Sequence, residues 1–93
     1  MNAQAVAEEE FTIHSELGLH ARPAGRFVAL AGHFDSEISV SRGDEWVSGC
    51  SVLSILSLAA GQGTALRVRA EGADAEQAVR ELGALLEAVE TDV

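Results

Sequence analysis

Ile38-Ser39-Val40-Ser41-Arg42-Gly43-Asp44-Glu45-Trp46-Val47 is the stretch on which the fold turns. Ile38 and Val40 alternate with Ser39 and Ser41, the period of a half-buried strand. Gly43-Asp44 is a turn signal and Glu45-Trp46-Val47 begins another strand, so the segment predicts a hairpin. A tight hairpin makes its two strands antiparallel, and the rest of the chain has to be built around that pair.

Upstream, Phe11, Ile13 and Ser15 alternate with Thr12 and His14, which predicts a first strand. From Ala21 to Ala31 the period becomes helical. Ala24, Phe27, Val28 and Ala31 share one face, while Arg22 and Arg26 sit four apart on another. Pro23 falls in the first turn, where its missing N–H breaks no intrahelical bond, and Gly32 fits the C-terminal stop. His20 is thereby placed at or near the N-cap.

Downstream of the hairpin, a short helix is predicted from Ser51 to about Ala60, ended by Gly61-Gln62-Gly63. Leu66, Val68 and Ala70 alternate with Arg67 and Arg69 in a fourth strand. Asp74 is in position to cap the last helix, with Gln77 as its capping-box partner. Ala75, Ala78, Val79, Leu82, Leu85, Leu86 and Val89 form that helix's apolar stripe. The order is βαββαβα. It predicts an α+β open-faced β-sandwich, a four-stranded antiparallel sheet with three helices on one face.

The chain has 93 residues, enough for one core, and 47% of them are hydrophobic and spread along its length. Residues 1–9 are read as a disordered acidic tail and residues 10–93 as the domain. No apolar run approaches the roughly 18 residues that span a bilayer, and the start lacks a basic, apolar signal pattern. A cytoplasmic protein without membrane insertion is expected. Cys50 is the only cysteine, so no internal disulfide is possible.

Net charge is −9, lysine is absent, and the six basic residues are all arginine. Nucleic acid and anionic lipid would repel such a chain. His14 and His33 lie on a strand and at a helix end, without metal-ligand spacing. His20 is different. A helix start presents unpaired N–H groups and a partial positive charge, and neutral imidazole is a nucleophile near pH 7. Those parts can hold, and accept, a phosphoryl group.

With these residues in view, the chain resembles the HPr family, the histidine-containing phosphocarriers of the bacterial phosphoenolpyruvate:sugar phosphotransferase system. Three segments carry the resemblance: GLHARPA at 18–24, CSVLSILSLAAGQGT at 50–64 and GADAEQAV at 72–79. The resemblance implies that phosphorylated enzyme I donates its phosphoryl group to His20, at Nδ1 in the family. The carrier then passes the group to sugar-specific or regulatory acceptor domains. Arg22 corresponds to the active-site arginine and Pro23 to the helix-start proline. The resemblance implies no metal or cofactor on this protein, and a carrier with a phosphohistidine intermediate rather than a self-contained enzyme.

Ser51 reads first as the N-cap of the short helix. The resemblance adds a second role, phosphorylation by an HPr kinase/phosphorylase that impedes docking with enzyme I. Cys50 and Ser54 depart from the family pattern around it. The short helix is apolar nearly all round, and family alignment makes Val52, Leu53 and Leu56 an exposed docking patch beside His20. Arg26 either extends the positive field there or is a solvated helix residue. Two other readings are a carrier of a regulatory or nitrogen-related branch, and a non-transferring adaptor. Retention of His20, Arg22 and Pro23 argues against the adaptor.

Overall fold

The computed structural model describes residues 5–88. Seven elements follow one another: β1 (Ala5–Thr12), α1 (Ala21–Ala31), β2 (Ser36–Arg42), β3 (Glu45–Ser48), α2 (Val52–Leu56), β4 (Ala65–Gly72) and α3 (Ala75–Glu87). The strands form one antiparallel sheet in the order β1-β4-β2-β3. The expected βαββαβα sandwich is the fold observed, with the hairpin at one edge.

Register sorts the side chains. Leu66, Val68 and Ala70 of β4 lie in the core with Ile38 and Val40 of β2, while Arg67 and Arg69 face outward. α1 adds Pro23, Ala24, Phe27 and Ala31 to that core, and α3 adds Ala75, Ala78, Val79, Leu82 and Leu86. Each helix buries the stripe that its 3.6-residue period predicts. Val89, assigned to the same stripe, lies outside the described residues.

The boundary of the N-terminal tail is corrected. β1 begins at Ala5, so residues 5–9 belong to the sheet; residues 1–4 lie outside the described part. The acidic run is held by cross-strand partners rather than by burial. Glu8 stands opposite Arg69 and Glu10 opposite Arg67, and Arg67 also reaches Glu8 at 3.3 Å. Opposite charges across an antiparallel pair stabilise it modestly.

α2 is also corrected. It spans Val52–Leu56 instead of reaching Ala60. Ala59 adopts a φ of 52°, which no helix can carry forward. Arg42, at the end of β2, donates from Nη1 to the carbonyls of Leu58 (3.0 Å) and Ala59 (2.9 Å). Those carbonyls belong to the turn after α2, and the group that pins them comes from a residue distant in sequence.

Asp74 occupies the N-cap position of α3 but makes no side-chain cap hydrogen bond. Its carboxylate instead accepts from Ser36 Oγ (2.6 Å) and the Asp35 N–H (2.8 Å). The expected capping box is absent, since Gln77 donates to Glu81. These bonds, Ser36 first, hold the Asp74 carboxyl below the usual carboxylate range. Asp74 thus fastens the α1–β2 connection to the start of α3.

Candidate functional site

His20 ends an extended approach to α1, with φ −95° and ψ −170°, and its carbonyl accepts the first helical bond from Ala24 N–H at 3.0 Å. It is the N-cap residue, as the sequence predicts. Its ring does not cap the helix; Nδ1 lies 3.1 Å from the Gly18 carbonyl. A carbonyl only accepts, so Nδ1 carries the proton in this contact and Nε2 keeps the lone pair. No side chain of the N-cap residue closes the first turn, and no acidic residue sits there to repel an anion.

The approach to His20 is fixed by backbone bonds to the segment after α2. Ile13 N–H donates to Thr64 O at 2.9 Å, Gly63 N–H to Ile13 O at 2.7 Å, and Leu19 N–H to Ala60 O at 2.9 Å. Gln62 Nε2 adds a bond to His14 O at 3.0 Å. Gly18 is required where the two segments cross. Its φ is +70°, and a Cβ there would stand 2.5 Å from the Ala60 carbonyl oxygen.

Pro23 is buried beneath the first turn, where its fixed φ suits the helix start. Arg22 and Arg26 are both exposed on α1, four residues apart. Arg22 thus lies within the first turn, two residues from His20.

Ser51 caps α2: its Oγ accepts from Ser54 N–H at 3.2 Å. Cys50 beside it is exposed. The expected docking set separates. Leu53 is 79% exposed, whereas Val52 and Leu56 are half-buried and pack against the core. The cause is helical phase. At about 100° per residue, Val52 and Leu56 lie roughly 60° and 100° to one side of the buried Ile55, while Leu53 points nearly opposite to it.

An exposed apolar residue close to His20 is not evident from the sequence. Leu17, on the turn before His20, is 66% exposed. A leucine in a connecting loop carries no periodic signal; only its place between Glu16 and Gly18 hinted at exposure.

The family model described as PTS HPr component phosphorylation site matches residues 7–88. The chain belongs to the HPr family. Among its relatives, the phosphocarrier protein NPr of Shewanella violacea is 40% identical over 81 residues, covering 87% of this chain and 89% of that one. The phosphocarrier protein HPr of Pseudomonas aeruginosa is 42% identical over 78 residues, 83% of this chain and 87% of its own length. A crystal structure of HPr from Bacillus anthracis superposes with a TM-score of 0.84 at 34% identity, covering 89% of this chain and 99% of that one. HPr-family proteins are phosphocarriers of the phosphotransferase system, and the open-faced sandwich is their fold. Among the described residues, no helix is long and apolar enough to cross a membrane.

Proposed function

We propose that this HPr-family chain accepts a phosphoryl group from phosphorylated enzyme I on His20 and hands it to a downstream acceptor domain. The observation that carries this reading is the half-buried imidazole of His20 at the N-cap of α1, beside a first turn that its own ring does not cap. The lone pair of the unprotonated ring nitrogen forms the new N–P bond as the donor's P–N bond breaks. That bonding pair returns to the donor ring, and the proton on the other nitrogen of His20 stays where it is. Onward transfer reverses the roles.

The protein supplies position and charge. First-turn N–H groups and the Arg22 guanidinium are suited to the equatorial oxygens of the transferring group. Pro23 sets the helix start that aims those amides. Arg26, one turn on, adds to the local positive field. Acceptance at Nδ1 further requires that the contact with Gly18 O open and the ring proton move to Nε2. The site is open at a helix mouth, which suits a group that must be both received and released.

Ser51 is the proposed regulatory residue, a substrate for an HPr kinase/phosphorylase. A phosphate there would stay beside the amides that Ser51 caps while placing charge next to Leu53. The reading makes this a cytoplasmic protein whose partners are enzyme I and sugar-specific or regulatory acceptor domains. The alternative destination is a regulatory or nitrogen-related branch rather than sugar uptake, and a transfer assay with candidate acceptor domains distinguishes the two.

The test is label transfer from [32P]phosphoenolpyruvate through enzyme I. Wild-type protein is expected to take up label that is lost in acid, as phosphohistidine is, and His20→Ala to take up none. Label persisting in His20→Ala would overturn the reading.

A further inference from the structure

We propose that Leu17 is a specificity-determining residue of the transfer to His20, seating its side chain in an apolar recess of the phosphoryl-donor protein. This inference rests on the phosphocarrier reading and names the kind of surface its donor presents.

Isolated exposed leucines are ordinary on protein surfaces and need no explanation. The place of this one makes the difference. Leu17 precedes His20 by three residues, so their Cα atoms are at most about 11 Å apart. A donor must bring its phosphoryl group into bonding range of the His20 ring. A specific protein contact covers about 800 Å² on each partner, a patch of radius about 16 Å. A donor footprint centred on His20 therefore covers Leu17, and 66% of the leucine is exposed to meet it.

The side chain is also held ready. Leu17 N–H donates to Ser15 Oγ at 3.1 Å, and Gly18 N–H donates to Ser15 O at 2.9 Å. Ser15 is buried, and Leu19 is tied to Ala60 O two residues further on. The turn thus presents Leu17 from a pinned backbone, which lowers the ordering cost of docking.

Charge points the same way. With a net charge of −9 and no lysine, this chain gains little long-range attraction from an acidic partner. Ala29 and Gly32, exposed further along α1, add no cation. An apolar contact at Leu17 works without such steering.

The test is the steady-state transfer of label from [32P]phosphoenolpyruvate, with the enzyme I of the same organism as catalyst and this protein as substrate. Leu17→Asp is expected to raise KM by about tenfold or more, leaving kcat within about twofold; Leu17→Met stays near wild type. Leu17→Ser repeats the measurement with an uncharged side chain and is expected to raise KM severalfold. Val6→Asp, an exposed apolar position on β1, serves as control and leaves both constants unchanged. Wild-type rates are expected to change less than about threefold between low and high salt. A Leu17→Asp KM within twofold of wild type would overturn the inference, as would a loss confined to kcat. Label persisting in His20→Ala would instead overturn the phosphocarrier reading beneath it.

Discussion

His20 Nδ1 and the Gly18 carbonyl oxygen lie 3.1 Å apart, a contact that selects one tautomer of the ring. In the neutral unmodified protein, 15N NMR is expected to report the proton on Nδ1 and the lone pair on Nε2. One such bond contributes about 0.5–1.5 kcal/mol, enough to bias the tautomers by roughly two- to tenfold. Phosphorylation at Nδ1 would remove the bond and shift the Gly18 carbonyl resonance. A dominant Nε2–H tautomer in the unmodified ring would contradict the observed orientation.

Gly18 is the most constrained position near the site. Gly18→Ala has to carry a β-carbon in the left-handed region and against the Ala60 carbonyl. A loss of about 2 kcal/mol or more is expected in urea unfolding. Full retention of stability would mean that the two segments separate at little cost.

Asp74 makes stability depend on pH. Its carboxyl is held below the ordinary value of 3.8 by Ser36 Oγ and the Asp35 N–H, so the stabilisation is complete above that value. It is lost as pH falls through the lower, folded-state value. Asp74→Asn should therefore be less stable than wild type at neutral pH, with the gap closing as the solution becomes strongly acidic. Melting temperatures of the two proteins across that range check this; a constant gap would contradict it.

Leu53 and Leu56 separate docking from folding. Leu53→Glu is expected to melt within a few degrees of wild type while weakening transfer from enzyme I, because the side chain is already in solvent. Leu56→Glu should cost about 1–3 kcal/mol, since it drives a charge against the core that Leu56 helps to cover. A large stability loss in Leu53→Glu would make Leu53 a packing residue.

Ser51→Ala is expected to lose about 1 kcal/mol in urea unfolding through its cap to Ser54 N–H, and Ser51→Asp to recover part of it. Equal stability of all three proteins would mean that α2 is held by the packing of Val52, Ile55 and Leu56 and not by its cap.

What could be read from the sequence was what repeats. The hairpin at Ile38–Val47, the stripes of α1 and α3, and the alternation of β4 all have a period, and each forms as expected. Pro23 and His20 were legible because a helix start has its own chemistry. The misreadings share another trait: their causes lie across the fold. β1 reaches back to Ala5 because β4 runs on to Gly72 and offers it backbone partners along that whole length. α2 stops early at Leu56, and Arg42 of β2 holds the carbonyls of Leu58 and Ala59 in the segment that follows it. Asp74 turns from its own helix toward Ser36, 38 residues away. Val52 and Leu56 needed the phase of Ile55, and Leu17 needed the shape of a turn. No local pattern carries those relationships.

The segment bearing His20 is joined to the segment after α2 chiefly through main-chain groups, Ile13 with Thr64 and Gly63, and Leu19 with Ala60. Any residue other than proline can supply an N–H or a carbonyl. The joint is therefore indifferent to the exposed side chains around it, though not to the buried Ile13, Leu19 and Ala60 or to the positive-φ glycines Gly18 and Gly63. Residues such as Leu17 and Leu53 can be exchanged without disturbing the histidine, so a lineage is free to change its partners while keeping its relay.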